Sequence, residues 1–276
     1  MKPATLAAAC VPAVAAFAAD VPPGYQDTPL IPGTKWHVHD GGRPQPKIVT
    51  PGTPGAEAKA GTAPSDATVL FDGADFSKWR KADGSAAGWK VEDGCGEVVP
   101  KTGDIFTREE FGPDVQLHLE FAMPPAAGNG QGRGNSGCFF YGRYEIQILD
   151  SFQNQTYPDG QAAAIYGYMP PRVNASRPPG EWQSYDIIFE GPRFKDGKLA
   201  KPAFVTVFHN GVLTQNHVAL LGDTGHRVVG TYQPHGEKGS IKLQDHGNPI
   251  RFRNIWIREF QNPGPDEVGE GPKIGQ

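Results

Sequence analysis

The chain has 276 residues, of which 20% are charged and 38% hydrophobic, enough for one large or two small packed domains. A net charge of −4 gives no reason to expect nucleic acid or an anionic membrane as a partner. The 36 glycines and 27 prolines favour many short strands joined by turns. We therefore expect a β-rich protein.

The N-terminus predicts a signal peptide over residues 1–19. Lys2 supplies the positive charge, Leu6–Ala18 is apolar and rich in alanine, and small residues precede Asp20. In a competing interpretation Cys10 is lipidated, but this leaves a short apolar region before the cysteine and more apolar sequence after it. No other segment reaches the roughly 18 apolar residues of a spanning helix. We expect a soluble protein exported to the periplasm or beyond the cell, with no membrane span.

Residues 20–65 contain the stretch RPQPKIVTPGTPGAEAKAGTAP, which predicts an extended Pro/Gly-rich arm or linker. We predict that a single domain follows over residues 66–260, and a flexible tail over 261–276. An exported protein could join Cys95 to Cys138 by a disulfide. Both cysteines lie in strand-like stretches, however, and burial as small apolar side chains is the alternative.

From Asp66 onward strand signals recur about every ten residues, a spacing typical of an all-β sandwich or jelly roll. The predicted strands are Thr68–Phe71, Trp89–Glu92, Glu97–Val99, Val115–Met123, Gly137–Tyr141, Tyr144–Leu149, Tyr185–Glu190, Ala203–His209, Val212–Val218, Ser240–Asp245 and Phe252–Phe260. The dipeptide Asn210-Gly211 between two alternating runs predicts a hairpin. The long irregular segment Phe152–Gly180 is predicted to be a functional loop.

The stretch GQGRGNSGCFFYGRYEIQILDS contains Gly132-x-Gly134-x-x-Gly137, which formally matches a dinucleotide-binding fingerprint. That fingerprint requires a helix after the glycines, because the helix N-terminus holds the phosphate. Here the glycines are followed by alternating β-branched and aromatic residues, which predict a strand. The sequence therefore indicates a glycine-rich loop that leads into a strand, and no nucleotide site.

Two predicted strands carry polar side chains on one face only. Arg143, Glu145 and Gln147 alternate with Tyr144, Ile146 and Ile148, while Lys242, Gln244 and His246 alternate with Ile241 and Leu243. If both polar faces share a concave sheet, Glu145, Gln147, Gln244 and His246 line a groove for a sugar. Tyr166 and Trp182 could then supply stacking faces, and His209 could lie at the end of a third strand. In the alternative interpretation, these polar side chains face only water.

Five stretches in the same order resemble motifs of the bacterial 3-keto-disaccharide hydrolase family, also described as a 3-keto-glucoside 1,2-lyase/3-keto-2-hydroxyglucal hydratase domain. They are VLFDGADFSKW, GNSGCFFYGRYEIQILDS, GEWQSYDIIFEGPRF, VTVFHNGVLTQNHVAL and LQDHGNPIRFRNIWIREF, and together they span about residues 66–260. The resemblance implies a concanavalin A-like jelly roll of two antiparallel sheets. It also implies secretion and action on sugars already oxidised at C3.

A ketone at C3 acidifies the C2 proton, so a base can form an enolate and the C1 substituent can leave. Water can then add, which gives net hydrolysis. For this chemistry His246 is the first candidate base, and Glu145 is the second, or the acid. The candidates for holding substrate or stabilising the oxyanion are Arg143, Arg251, Arg253, Gln147, Gln244, Tyr166, Trp182 and His209. The sequence requires no cofactor, although a divalent metal held by His and carboxylate could stabilise the oxyanion instead.

Two other functions stay open. EIQILD resembles the Glu-x-Asp-x-x-Glu strand of laminarinase-type glycosidases, but Gln147 replaces the middle acid and Asp150 replaces the last one. Retaining hydrolysis needs two carboxyl groups about 5 Å apart, and Asp150 should point to the opposite face of a regular strand from Glu145. A lectin-like module that binds glycans without cleaving them would need no base. Glu145 and His246 on a shared face favour catalysis over such a module.

Overall fold

The computed structural model describes residues 24–25, 27–44 and 46–261. Residues 48–261 form one compact unit, and the described residues before them belong to a second, in which Gly24 pairs with Asp40 and Leu30 with His37. The predicted signal peptide, Cys10 and all of the predicted tail except Gln261 lie outside the described residues. No helix in the described part of the chain has the length and apolar character needed to cross a membrane.

The compact unit contains two main antiparallel sheets. The large sheet has eight strands, β1 (Thr68–Phe71), β3 (Lys90–Glu92), β4 (Cys95–Glu97), β6 (Asp114–Ala122), β9 (Trp182–Glu190), β12 (Phe204–His209), β13 (Val212–Ala219) and β15 (Arg251–Glu259). The small sheet has five, in the order β2 (Trp79–Arg80), β5 (Ile105–Thr107), β14 (Lys242–Leu243), β7 (Asn135–Phe140) and β8 (Tyr144–Leu149). A hairpin of β10 (Arg193–Lys195) and β11 (Lys198–Lys201) completes the fold. The predicted jelly-roll sandwich is confirmed.

The two sheets share one hydrophobic core because every second side chain of their strands points inward. The core is formed from the large sheet by residues such as Leu117, Leu119, Phe121, Tyr185, Ile187 and Phe189, and from the small sheet by Phe140, Tyr144, Ile146 and Ile148. The rings of Phe140 and Phe189 stack across the sandwich with their centroids 4.3 Å apart. Alternation of apolar and polar residues in the sequence therefore sets which face of each sheet is buried.

The predicted strands are all present, with boundaries shifted by a few residues, and the sequence missed the short strands β2, β5, β10 and β11. The predicted hairpin is also confirmed: His209 pairs with Val212, and both Asn210 (φ +51°) and Gly211 (φ +77°) adopt the left-handed conformation that a type I′ turn requires. Cys95 and Cys138 are free thiols, the first on the large sheet and the second on the small sheet.

Residues 48–65, which we call the strap, lie on the outer face of the large sheet. Arg253 of β15 donates to the Ala56 carbonyl at 2.6 Å, and the backbone N–H of Gly61 donates to the Glu120 carboxylate at 2.8 Å. These contacts make the strap part of the compact unit. The segment predicted as an extended arm or linker therefore divides near residue 47, and its second part is packed on the compact unit.

A buried charge network holds the strap. The Glu120 carboxylate accepts from Arg253 Nε at 2.7 Å and from Asn254 Nδ2 at 2.7 Å. Burial alone would raise the pKa of Glu120, but the hydrogen bonds donated to it lower that pKa to about 2. His118 pairs through Nδ1 with Asp186 at 2.7 Å, and its Nε2 lies 3.8 Å from Glu120. Burial alone would lower the pKa of His118, but these two carboxylates raise it to about 9.

These shifts predict how stability depends on pH. His118 has a folded pKa near 9 against 6.5 for a free histidine, so its contribution is complete below about 6.5 and is lost as the pH rises through 9. Glu120, with a folded pKa near 2 against 4.5, contributes above 4.5 and loses that contribution as the pH falls through 2. We therefore expect maximum stability between about 4.5 and 6.5. The His118 contribution is at most about 3 kcal/mol.

Urea unfolding of the wild type and of His118→Gln, measured from acidic to alkaline pH, checks this expectation. The free energy of unfolding of the wild type should fall as the pH rises through about 9. That of the variant should be lower at about pH 6 and should fall less over the same alkaline range. Parallel alkaline limbs in the two proteins would contradict the role given to His118.

Candidate active site

The outer face of the small sheet carries its polar side chains in rows across the strands. In β8, Glu145 lies opposite Phe139 of β7, which in turn lies opposite Lys242 of β14. In the next row Gln147 lies opposite Gly137, whose carbonyl accepts from the Gln244 N–H at 3.1 Å. The alternation in the sequence thus brings two separate polar stretches onto one surface.

These rows form the floor of a cavity of about 460 Å³, within the size range of small-molecule sites. Five of the predicted site residues line it, namely Glu145, Gln147, Tyr166, Gln244 and His246. Its other lining residues are Gln131, Asn135, Phe139, Tyr157, Thr224, Gly225, His226 and Lys242. Glu145 and His246 therefore share one cavity, which was the arrangement expected for catalysis rather than simple glycan binding.

The long loop after β8 forms one wall of this cavity. Its backbone runs along the free edge of β8: the Gln147 N–H donates to the Ala164 carbonyl at 3.0 Å, and the Tyr166 N–H donates to the Glu145 carbonyl at 3.2 Å. The Tyr166 hydroxyl lies 2.9 Å from that of Tyr157 and 3.1 Å from Nδ1 of His226. The loop therefore extends the sheet and brings aromatic side chains to the site.

Arg143 does not line the cavity but fixes a second wall. Its guanidinium pairs with Asp223 at 2.6 Å, and its carbonyl accepts from the Thr224 hydroxyl at 2.9 Å. That hydroxyl also accepts from the Glu145 N–H at 3.0 Å. Arg143 thus holds the loop that carries Thr224, Gly225 and His226 against the strand of Glu145.

Glu145 is buried, with 6% of its surface exposed. Burial raises the pKa of this carboxyl to about 8; the positive charge of Lys242 opposes this shift and the carboxylate of Asp104 supports it. Lys242 Nζ lies 3.2 Å from Asp104 and 3.5 Å from the centre of the Phe139 ring, which holds the cation at the cavity floor. At neutral pH Glu145 is therefore mostly protonated beside a fixed cation.

Gln147 supports Glu145. Its side-chain amide lies 2.8 Å from the Ser136 carbonyl and 3.0 Å from Glu145 Oε1. Because a carbonyl oxygen can only accept, the amide nitrogen faces these two atoms and donates to both. Gln147 thus orients the carboxyl group through one of its oxygens.

Gly137 leaves the space that the Glu145 side chain occupies. A Cβ atom at this position would lie 2.4 Å from Glu145 Oε1 and 2.7 Å from the Phe139 ring. We expect Gly137→Ala to displace the carboxyl and to lower kcat/KM by about 10²-fold, because catalysis is sensitive to displacements of about 1 Å. Gly132→Ala in the preceding loop is the matched control, since a Cβ there meets no atom within 4 Å. Equal kcat/KM values for the two variants, measured with the same substrate, would contradict the role of Gly137 in leaving space for Glu145.

The other predicted site residues lie elsewhere. Trp182, Arg251 and Arg253 belong to the large sheet, where both guanidinium groups lie over the indole ring of Trp182, at 5.3 and 3.9 Å. The arginines were candidates for stabilising the oxyanion, but the chain crosses from the small sheet to the large sheet between Leu243 and Arg251. These three residues are therefore separated from Glu145 by the sandwich.

His209 is also placed apart from the cavity. It lies at the end of β12 with 1% of its surface exposed, and its Nε2 is 2.9 Å from the Gln183 side-chain oxygen. Burial and the nearby Arg177 lower the pKa of His209 to about 3. It is therefore a neutral core histidine on the large sheet.

A paired-carboxylate site of the laminarinase type is absent from this cavity. Among the described carboxyl groups only Glu145 lines it. Asp150, the other acid of the EIQILD stretch, is 1% exposed and is bound by Arg133 through two hydrogen bonds of 2.6 and 3.0 Å. In the described residues no cluster of three or more His, Cys, Asp or Glu side chains is arranged to hold a metal ion.

The sequence missed two charged or titratable groups of the cavity. Alternation placed Lys242 on the correct face. Its position in the row, with Phe139 between it and Glu145, depends on strand order, which the pattern does not carry. His226 lies in a loop without periodicity, so no local signal could have assigned it to the site.

Comparisons with known proteins agree with this architecture. Residues 66–258 match the model of a family described as the 3-keto-alpha-glucoside-1,2-lyase-like domain. The crystal structure of a proposed glycosyl hydrolase from Parabacteroides distasonis has a TM-score of 0.75 and 45% identity, covering 84% of this chain and all of that one. A 3-keto-disaccharide hydrolase of Bacteroides thetaiotaomicron is 24% identical, over 69% of this chain and 77% of its own length.

Proposed function

This chain belongs to the 3-keto-alpha-glucoside-1,2-lyase-like family, and on that premise we propose that it cleaves 3-keto-glycosides by elimination. The base removes the proton from C2, and the electrons of that C–H bond form an enolate with the C3 carbonyl. The enolate then collapses, the C1–O bond breaks, and the leaving oxygen takes a proton. The product is an enone with its double bond between C1 and C2. Addition of water to this product would complete a net hydrolysis.

Glu145 is the proposed acid. A carboxyl group donates a proton only when it is neutral, and the pKa of about 8 keeps Glu145 neutral at physiological pH. The hydrogen bond from Gln147 engages Oε1. The proton on the other oxygen is then available to the leaving group at C1.

His246 is the proposed base, and Lys242 stabilises the enolate oxygen. His246 is exposed at the rim, where it can exchange its proton with water after each cycle. Lys242 supplies a cation at the floor, and the side-chain amide of Gln244 provides a further donor to the sugar hydroxyls. The roles first considered for Arg251 and Arg253 pass to Lys242, because only Lys242 lines the cavity.

One observation carries the proposal: a single buried carboxyl group with a raised pKa shares a sugar-sized cavity with a histidine and a lysine. Elimination next to a ketone needs one acid, one base and one oxyanion donor. Retaining hydrolysis of an unoxidised glycoside needs a second carboxylate, and a lectin needs no acid of this kind.

The test is a cleavage assay on matched substrates. The purified protein is incubated with a nitrophenyl glucoside and with its 3-keto counterpart, each with and without a chelator. We expect nitrophenol release from the keto sugar alone. Release from the unoxidised glucoside would overturn the proposal in favour of a glycosidase, and no release from either, over several aglycones and both anomers, would favour a binding module. Loss of activity with the chelator would add a metal to the site.

We also propose that the protein acts outside the cytoplasm. The support is the sequence of residues 1–19, with its basic start, apolar stretch and small residues before Asp20. Fractionation of cells that express the full chain, followed by N-terminal sequencing of the mature protein, tests this. A protein retained in the cytoplasm with its N-terminus intact would contradict it.

A further inference from the structure

A second hollow, of about 290 Å³, adjoins the cavity; we call it the side pocket. Three residues line both spaces, namely Tyr157, Tyr166 and His226. The remaining lining residues of the side pocket are Asp159, Gly167, Arg227, Val228 and Val229. A ligand in the cavity can therefore extend into the side pocket past the two tyrosines.

The side pocket begins close to the proposed acid. The backbone N–H of Tyr166 donates to the Glu145 carbonyl, so the residue that divides the two spaces is paired directly with Glu145. The bond that breaks joins C1 to the leaving oxygen, which receives its proton from Glu145 in the proposed reaction. A group attached to that oxygen can then extend past this dividing wall into the side pocket.

The surface of the side pocket is largely apolar. Val228 and Val229 are 60% and 82% exposed, although β-branched apolar side chains are normally covered. The hydroxyls of Tyr157 and Tyr166 are hydrogen-bonded to each other, so the surface that these residues offer to a ligand is that of their rings. The other polar side chains here are Asp159, Arg227 and His226, and Nδ1 of His226 lies 3.1 Å from the Tyr166 hydroxyl.

The loop that carries the valines has a defined shape. It is closed at its base, where Asp223 N–H reaches the Thr231 carbonyl at 3.5 Å and Asp223 pairs with Arg143 at 2.6 Å. A Cβ at Gly230 would lie 1.6 Å from the Asp223 carbonyl oxygen, so the two ends of the loop can approach this closely only with glycine there. The closed base of the loop thus fixes the position of Val228 and Val229 beside the cavity.

We propose that the side pocket binds an aromatic aglycone of the 3-keto-glycoside and that Val228 and Val229 select it. This inference rests on the proposed function of the neighbouring cavity. A flat aromatic ring can pack between the valines and the tyrosine rings and removes all of these surfaces from water. A second sugar would instead depend on Asp159, Arg227 and His226 for bonds to its hydroxyls, because the tyrosine hydroxyls are bonded to each other.

The test measures binding rather than turnover. The Glu145→Gln protein, which should bind without cleaving, is titrated calorimetrically with phenyl and methyl 3-keto-glucosides and with a 3-keto-disaccharide. We expect the phenyl compound to bind at least about tenfold more tightly than the methyl compound. Replacing Val228 and Val229 by Ser in the same protein should reduce this ratio to near one, while Val212→Ser, an exposed valine of β13, should leave the ratio unchanged.

The possible outcomes separate the two proposals. Equal affinities for phenyl and methyl compounds, or a tighter disaccharide, would overturn the aglycone assignment and leave the elimination site intact. Retention of the phenyl preference in the double serine variant would also overturn it. Failure of every 3-keto compound to bind would overturn both proposals together, provided that the Glu145→Gln protein gives the circular dichroism spectrum of the wild type.

Discussion

Replacing Glu145 by Gln is expected to lower kcat/KM for a 3-keto-glycoside by about 10³-fold, within the range of roughly 10²–10⁴ that general acid catalysis contributes. Glutamine keeps the size and the hydrogen-bonding ability of the side chain but has no proton to give to the leaving oxygen. Initial rates with a nitrophenyl 3-keto-glucoside measure the loss. Glu92→Gln on the exposed strand β3 is the control and should behave as the wild type.

The role of the acid predicts the pH profile as well. The neutral carboxyl is the active form, so wild-type kcat/KM should fall as the pH rises through about 8. A leaving group that is a weak base needs little help from an acid. The decrease in kcat/KM caused by Glu145→Gln should therefore be smallest for a dinitrophenyl substrate and largest for an alkyl substrate. An equal loss on all leaving groups would assign Glu145 to another role, and wild-type turnover of the variant would remove it from the mechanism.

Replacing Arg253 by Leu is expected to destabilise the protein by about 3–5 kcal/mol, because it removes the cation that is hydrogen-bonded to the buried Glu120 carboxylate. The change also removes the hydrogen bond to the strap at the Ala56 carbonyl. Domains of this kind have a total stability of only about 5–15 kcal/mol. Arg253→Leu is therefore expected to unfold at a much lower urea concentration, and Lys238→Met, which removes an exposed ion pair with Glu259, should not.

A double variant separates the charge from the packing. If the penalty comes from the unpaired carboxylate, adding Glu120→Gln to Arg253→Leu should restore part of the lost stability. If the losses of stability in the two single variants instead add up in the double variant, the network contributes through packing of the strap. Activity measured at a temperature where all variants are folded should change little, because both residues lie on the sheet opposite the cavity.

Alternation in the sequence carried enough information to predict the faces of the strands, and through them the meeting of Glu145, Gln147, Gln244 and His246. A period of two determines which side chains point outward together. It does not determine which strands are neighbours, and this is why Lys242 was not recognised. The short strands β2 and β5 contain too few residues for any period to be detected.

The features that the sequence pattern did not locate have a common physical origin. Arg251 and Arg253 follow His246 within seven residues, yet a jelly roll carries the chain from one sheet to the other in such a distance. The strap was predicted only as part of an extended arm or linker, because its glycines and prolines show no periodicity. Its attachment depends on backbone groups, such as the Gly61 N–H and the Ala56 carbonyl, which every sequence possesses.

The pairing of the long loop with β8 also bears on the behaviour of the protein at high concentration. β8 is the last strand of the small sheet, and the uncovered edge of such a strand could pair with a second molecule and start aggregation. The backbone of Ala164 and Tyr166 occupies the hydrogen-bonding groups of that edge. The segment that forms a wall of the cavity therefore also prevents edge-to-edge association of two molecules. Shortening it to widen the cavity would expose the edge of β8 and lower the solubility of the protein.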